Sequence, residues 1–270
     1  MIAEPITTAF SGTIPTFYEK YLGPLFFEPF ALEMAKRVKK MSPSSLLELA
    51  SGTGRLTKYL PFVLPSGASF HATDLNPAML QIAQDRLKGI DIDWGIVDAV
   101  QLPFADRSFE AIACQFGVMF YSDKSKAYQE AYRVLKPGGS FLFAAWDDLE
   151  HNPIAQIANE LSKEFFPVDP PKFYELPFSY CVEQEIREDL ASADFTQVEI
   201  ELVTLKGHAD TAEEIALGIF EGSPIYTTIT ERDASALPLI KRKMVEQLKK
   251  EFGAANLKVP IQARIVRAVK

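Results

Sequence analysis

The sequence predicts an α/β fold built on a mostly parallel sheet, and three observations predict it. Between residues 45 and 146, short apolar runs alternate with helical patterns, which is the signature of βαβ units. The runs are nearly continuous in apolar residues, as strands buried on both faces require. Acidic residues (Glu48, Asp74 and Asp98) stand at the ends of the first three runs, so they point towards one edge of one sheet.

The elements follow in chain order. The first forty residues read as helical, with Phe17, Tyr18, Tyr21, Leu22, Phe26, Phe27 and Phe30 crowding aromatic and apolar groups there. Gly23 and Pro24 are expected to break this stretch in two. The second piece, 29–40, ends in Lys36, Arg37, Lys39 and Lys40, cations that suit a helix C-terminus. Strands are expected at 45–50, 68–73, 92–97, 110–116 and 140–146. Between them lie helices at 55–63, from Asn76 to about 88, and at 125–135. Asn76 is a natural N-cap with Pro77 at the first helical position. The run Lys136-Pro137-Gly138-Gly139 reads as a helix stop and a tight turn into the next strand.

Beyond Trp146 the pattern changes. Helices are expected at 152–166, 183–193, 212–220 and 234–251, with a Pro-rich connection at 167–177. Strands are expected at 196–206 and 261–269. The chain divides into an N-terminal helical cap (1–40), a ligand-binding core (41–150), and a remainder (151–270) that adds the last strands and helical insertions. Segments 147–177 and 207–260 are rich in apolar residues, among them Phe165, Phe166, Phe173, Phe178, Ile219, Phe220 and Tyr226. They are expected to form a hydrophobic lid that excludes water and sets specificity.

Bulk properties narrow the function. Hydrophobic residues make up 47% and charged residues 24%, a globular rather than a disordered composition. The formal net charge is -8, which disfavours a nucleic-acid partner. The basic run 241–250 reads as the solvated face of a helix. The start of the chain lacks a basic region followed by an apolar stretch, and no apolar run is long enough to span a bilayer. A cytoplasmic protein without a membrane span is expected. Cys114 and Cys181 have no metal-ligand spacing; Cys114, in an apolar strand, reads as a buried structural thiol. No metal site is expected, and the sequence carries no signal for oligomeric state.

The sharpest motif is Glu48-Leu49-Ala50-Ser51-Gly52-Thr53-Gly54, a strand running into a glycine turn and then a helix N-terminus. Glycines let backbone approach a ligand closely, and such a crevice at the carboxyl ends of parallel strands is where these sheets bind ligands. Alone, the motif also fits an ordinary strand-to-helix turn. Asp74 follows at the distance from the glycines at which nucleotide folds place an acid on ribose hydroxyls, and Asp98 closes the third strand ahead of Ala99. Taken singly, Asp74 reads as an N-cap and Asp98 as a turn residue.

The segments LLELASGTGRLT, ATDLNPAML, GIVDAVQLPFADRSFEAI, CQFGVMF and AYRVLKPGGSFLFAAW, in this order and spacing, resemble class I S-adenosylmethionine (SAM)-dependent methyltransferases. The resemblance is specific from about 46 to 146, and leans towards the group that contains the ubiquinone/menaquinone-biosynthesis methyltransferases. Ala50 stands where many relatives carry glycine. The resemblance implies a Rossmann-like seven-stranded sheet in the order 3-2-1-4-5-7-6, with the last strand antiparallel, helices on both faces and a helical cap. It implies SAM as cofactor, S-adenosylhomocysteine as product, and a small-molecule methyl acceptor. By the same resemblance, Ala50, Ser51 and Gly52 lie against the methionine part of SAM. Glu48 braces the loop and reaches the ammonium through water. Asp74 holds the ribose hydroxyls, with Leu75 and Met79 on the adenine side. Asp98 and the Ala99 backbone pair with adenine, Gln115 and Phe116 approach the methionyl chain, and Tyr21, with Phe17 beside it, either closes over the cofactor or packs in the core.

Methyl transfer from a sulfonium is an in-line displacement, and orientation supplies much of its acceleration. A neutral nucleophile also calls for a general base, and no residue stands out as one. His71 reads as structural and His208 as exposed. His151, just after the fifth strand, is the best placed of the three. Phe120, Tyr121 and Trp146 are candidate aromatic walls for a partly apolar acceptor, or ordinary core. Two other readings remain. An NAD(P)-dependent oxidoreductase requires a third glycine where Thr57 stands. A non-catalytic SAM-binding protein has the same cofactor half.

Overall fold

The computed structural model describes residues 10–270. The chain forms two compact units. The sheet unit contains Phe30–Trp146, Ser179–Val203 and Ala263–Lys270; the helical unit contains the described residues up to Pro29, Asp147–Phe178 and Thr204–Gln262.

The strands are β1 (Ser45–Leu49), β2 (Ser69–Asp74), β3 (Asp93–Ile96), β4 (Phe109–Gln115), β5 (Leu135–Trp146), β6 (Thr196–Thr211) and β7 (Ala255–Val269). They form one seven-stranded sheet in the order β3-β2-β1-β4-β5-β7-β6. β1 pairs in parallel with both β2 and β4, β2 with β3, and β4 with β5, while β7 runs antiparallel to β5. The order and the reversed last strand are those the family resemblance implies. β1 is buried at all five positions, which accords with its largely apolar sequence.

Helices in the sheet unit carry one apolar stripe each. In α2 (Glu28–Met41) the buried residues are Phe30, Ala31, Met34, Ala35 and Val38. α4 (Pro77–Arg86) begins as its sequence dictates: the Asn76 side chain accepts from the amides of Ala78 and Met79. In α5 (Lys124–Val134) Asp123 caps the Lys126 amide, and Ala127, Tyr128, Ala131 and Val134 face inward. Tyr128 donates its hydroxyl to Tyr180, which donates to Asp189 of α7 (Glu183–Ser192).

The helical unit holds α1 (Ile14–Phe17), α6 (Pro153–Phe165), α8 (Ala212–Glu221), α9 (Ile225–Asp233) and α10 (Ala236–Phe252). Ile240, Met244 and Leu248 are buried along one face of α10. The loop that follows β5 is tightly laced. The buried Asn152 side chain donates to the carbonyl oxygens of Asp148 and Gln262, and its own carbonyl oxygen accepts the Gln262 amide. Asp147 accepts from the Gln262 side chain at 2.6 Å.

Several boundaries differ from the sequence expectation. Gly23 and Pro24 do not break the first helix; a π-helix, Tyr18–Phe27, runs through both, and the Glu28 amide bonds back to the Gly23 carbonyl. The wider π turn takes up the proline that an α-helix interior resists. The helix expected from 55 starts only at Leu60, as α3 (Leu60–Val63). Residues 52–59 form successive turns instead, with bonds such as Gly54 N to Ser51 O and Tyr59 N to Leu56 O. β5 begins at Leu135 rather than 140, because the Lys-Pro-Gly-Gly run is itself extended. There the Gly138 amide donates to Lys270 O, and the Lys270 amide to Gly139 O. The pairing jumps from Phe109↔Leu135 to Ala111↔Ser140, so the motif is a bulge within the strand. The helix expected at 234–251 is preceded by α9, and both β6 and β7 are longer than their apolar patterns indicate.

Candidate cofactor site

The site begins where β1 runs out. Glu48 lies within β1, fully buried, and the chain then turns through Ala50, Ser51 and Gly52. Ala50 has φ +53° and Gly52 φ +56°, so the turn takes two residues in the left-handed region. Gly52 meets that requirement without a Cβ, whereas Ala50 holds it with one.

β2 fastens this turn from the side. The Thr73 hydroxyl donates to Glu48 O at 2.8 Å, and the Ser51 amide donates to Thr73 O at 2.9 Å. Asp74, at the end of β2, accepts the Gly52 amide on Oδ2 and the Asn76 amide on Oδ1, both at 2.7 Å. Its burial raises its pKa, and the amides of Asn76, Gly52 and Leu75 pull it back down. Met79 sits beside the turn; a Cβ on Gly52 would lie 3.9 Å from its terminal methyl. Leu75 is exposed.

Four buried polar atoms around the turn have no hydrogen-bond partner: Glu48 Oε2, Ser51 Oγ, Thr53 Oγ1 and Thr57 Oγ1. Burial pushes the Glu48 carboxyl up to about 8, and the nearby Asp74 adds to it. Buried polar groups are normally satisfied, so a cluster of unsatisfied ones calls for partners from outside the chain: water, an ion or a ligand. Thr53 and Thr57 carry little signal as polar site groups in the sequence. Thr53 directly precedes the second glycine, and Thr57 stands three residues after it.

Asp98 follows β3, where the Val97 amide bonds to Asp74 O and so ties the ends of β2 and β3 together. Asp98 Oδ1 accepts from the Val100 amide at 3.0 Å, the turn-forming role, and Ala99 beside it is half-buried. Gln115 closes β4 and is half-buried. Phe116 turns away from the strand at φ +55°. Its ring stacks on Trp146 at 3.7 Å, and Phe30 meets both rings edge-on at 5.2 and 5.5 Å. Trp146 and Phe116 therefore pack on each other at the ends of β4 and β5. Thus β1, β2, β3 and β4 bring Glu48, Ala50, Ser51, Gly52, Asp74, Leu75, Met79, Asp98, Ala99, Gln115 and Phe116 into the sheet unit.

Tyr21 belongs to the helical unit. There its ring lies 5.9 Å from that of Phe17, Lys20 stands over it at 4.8 Å, and α8 packs close by at Gly218. His151 is also in this unit, on the laced loop after β5. Its Nδ1 is 2.7 Å from Asp148 Oδ1 and 3.6 Å from Asp147 Oδ2. These three groups could present ligand atoms within 4.8 Å of one another. Asp148 already pairs with His151, and Asp147 accepts from the Gln262 side chain. His71 lies edge-on to Phe104 and Phe109, and His208 is exposed.

A seven-stranded sheet in this order, with a glycine turn after β1 held by an acid at the end of β2, defines the class I, Rossmann-like methyltransferase architecture. Residues 47–143 match the model of the family described as methyltransferase domain. The chain is similar to the ubiquinone/menaquinone biosynthesis C-methyltransferase of Haemophilus ducreyi, with 32% identity over 126 residues, 45% of this chain and 49% of the relative. It is similar also to the mitochondrial 2-methoxy-6-polyprenyl-1,4-benzoquinol methylase of Drosophila melanogaster, with 30% identity over 200 residues, 62% of this chain and 65% of that protein. The chain spans about half the length of the first curated relatives it matches. Among solved structures, the Haemonchus contortus phosphoethanolamine N-methyltransferase 2 in complex with SAM superposes with a TM-score of 0.60 at 19% identity, covering 97% of this chain and 58% of that one. At that identity the likeness is one of fold. No helix among the described residues is long and apolar enough to cross a membrane.

Proposed function

We propose that this protein is a SAM-dependent methyltransferase acting on a small, partly apolar acceptor. The observation that carries the reading is the Gly52–Asp74 clasp set among the four unpartnered buried polar atoms of the β1 turn. The donor set fits SAM. A carboxylate has lone pairs to spare beyond the amides it already accepts, so Asp74 suits the ribose hydroxyls. Glu48 and the hydroxyls of Ser51, Thr53 and Thr57 suit the charged methionine end, with Ala50, Ser51 and Gly52 giving close backbone approach. Leu75, Met79, Asp98 and Ala99 suit the adenine, and Gln115 and Phe116 the methionyl chain. Bound here, SAM would supply an electrophilic methyl carbon, with S-adenosylhomocysteine as the product.

The chain's own contribution is orientation and exclusion of water. A fixed geometry for an in-line approach is worth roughly 7–11 kcal/mol in favourable cases. The segments after residue 150 supply acceptor specificity. The names of the two relatives make a quinol the first acceptor to try. Two free cysteines, one of them buried, accord with the reducing cytoplasm.

Calorimetric titration with SAM, S-adenosylhomocysteine and NADH, on wild type and Asp74→Ala, tests this. Micromolar binding of the first two, lost in the variant, is expected. Binding of NADH alone returns the oxidoreductase reading. Tight SAM binding without turnover across quinol, phenol and amine acceptors favours a non-catalytic SAM-binding protein.

A further inference from the structure

Behind the glycine turn lies a contact that the cofactor assignment leaves unused. β4 ends at Gln115, and the chain reverses through Phe116 and Gly117 before a single 3-10 turn, Val118–Phe120. Cys114 Sγ accepts from the Tyr121 hydroxyl at 3.3 Å and from the Gly117 amide, so one thiol closes both ends of the reversal. Gly117 has no room for a side chain. A Cβ there would lie 2.5 Å from the Ala50 Cβ and 2.7 Å from Cys114 Sγ. The turn after β4 is therefore pressed directly onto the turn after β1. Cys114 pairs in register with Leu49, the residue before Ala50, so the thiol sits where the two turns separate from the sheet.

Both turns carry backbone that an L-residue avoids: Ala50 at φ +53° and Phe116 at φ +55°. Such residues persist only where the surroundings over-determine them. The surroundings here include the Cys114–Tyr121 bond and the Ala50–Gly117 contact, beside the hydrogen bonds from β2. The thiol itself has no reactive use in this setting, since burial pushes it up to about 12 and it stays protonated.

We infer that Tyr121 and Cys114 are a positioning pair that holds the β4 turn against the β1 turn and thereby sets the affinity for SAM. The inference rests on the methyltransferase reading. Its physical basis is preorganisation: a turn already held in its binding conformation loses less freedom when the ligand arrives. Neither residue needs to touch the cofactor. Tyr121 acts through Cys114, and Cys114 acts through the Gly117–Ala50 contact.

Two readouts test it, calorimetric affinity for SAM and S-adenosylhomocysteine, and amide exchange of the cofactor-free protein at Ser51 and Gly52. The proteins are wild type, Tyr121→Phe, Cys114→Ala, Cys114→Ser and the Tyr121→Phe/Cys114→Ala double variant. Tyr121→Phe and Cys114→Ala should each weaken both ligands by roughly five- to tenfold, the size of one lost hydrogen bond, and speed exchange at both amides. Cys114→Ser keeps an acceptor for Tyr121 and should stay within about twofold of wild type. The double variant should be no weaker than the worse single one, because the two act as a unit. Wild-type affinity and exchange in Tyr121→Phe, or additive losses in the double variant, overturn the inference. A wild type that binds neither ligand overturns the cofactor reading, and with it the affinity claim, while the exchange rates still decide whether the pair fixes the turn.

Discussion

Asp74 Oδ2 accepts the Gly52 amide at 2.7 Å, so an acid at the end of one strand holds the turn that follows its neighbour. The same carboxylate takes the Asn76 amide on its other oxygen. One side chain therefore joins the glycine turn to the start of α4. Asp74→Asn keeps the size but replaces one acceptor oxygen by an NH2 donor facing an amide N–H. SAM affinity should fall by about 10- to 100-fold, as expected for a lost hydrogen bond to a charged group, and the urea midpoint should fall with it. Calorimetry and urea titration of the same preparation check both. An unchanged affinity would remove Asp74 from the ribose assignment.

Glu48 makes stability depend on pH. Its folded-state pKa is about 8, against an ordinary value of 4.5. Between those limits the folded chain keeps the proton while the unfolded chain has released it. Stability contributed by the neutral carboxyl is therefore present at low pH and lost as pH rises from 4.5 to about 8, by at most about 1.4 kcal/mol for each pH unit. Glu48→Gln removes the titration. Its stability relative to wild type should rise steadily between pH 5 and pH 8 in urea unfolding. A difference that stays flat across that range would mean the carboxyl is ionised in the folded state.

Ala50 occupies left-handed backbone that costs an L-residue about 1–2 kcal/mol. Ala50→Gly removes that cost but loosens the unfolded chain by about 0.4–1 kcal/mol, so the net should lie between zero and a small gain. Ala50→Val adds a branched Cβ at the same φ, next to the site where Gly117 has no space, and should cost about 2 kcal/mol or more. Urea titration of both variants separates them. Equal stability of the two would show that the turn relaxes out of this conformation.

His151 should titrate above its ordinary 6.5, because the Asp148 carboxylate hydrogen-bonds its ring and charges on Asp148, Asp147 and Glu150 surround it. Proton NMR of the ring resonance checks this in wild type and in Asp148→Asn. The variant should bring the midpoint down towards 6.5. If it does not move, the Asp148 pairing is not formed in solution.

The sequence by itself determined the parallel core from 45 to 146, the N-cap at Asn76, and the placing of Glu48, Asp74 and Asp98 at successive strand ends. These are local properties: apolar runs, turn chemistry and spacing along the chain. It also placed the glycine turn, because only a few residue types suit that backbone. Tertiary structure decided the rest. The chain continues as a π-helix through Pro24 because neighbours in its own unit hold it there, and no propensity encodes that. The Lys-Pro-Gly-Gly run is a bulge against β4, and its Gly138 and Gly139 bond to Lys270, more than a hundred residues later. The aromatic groups of Phe116 and Trp146 turned to each other, an outcome fixed by strand neighbours and invisible to spacing. Above all, the closeness of Gly117 to Ala50 depends on β4 lying beside β1, and a one-dimensional pattern carries no record of which strands become neighbours.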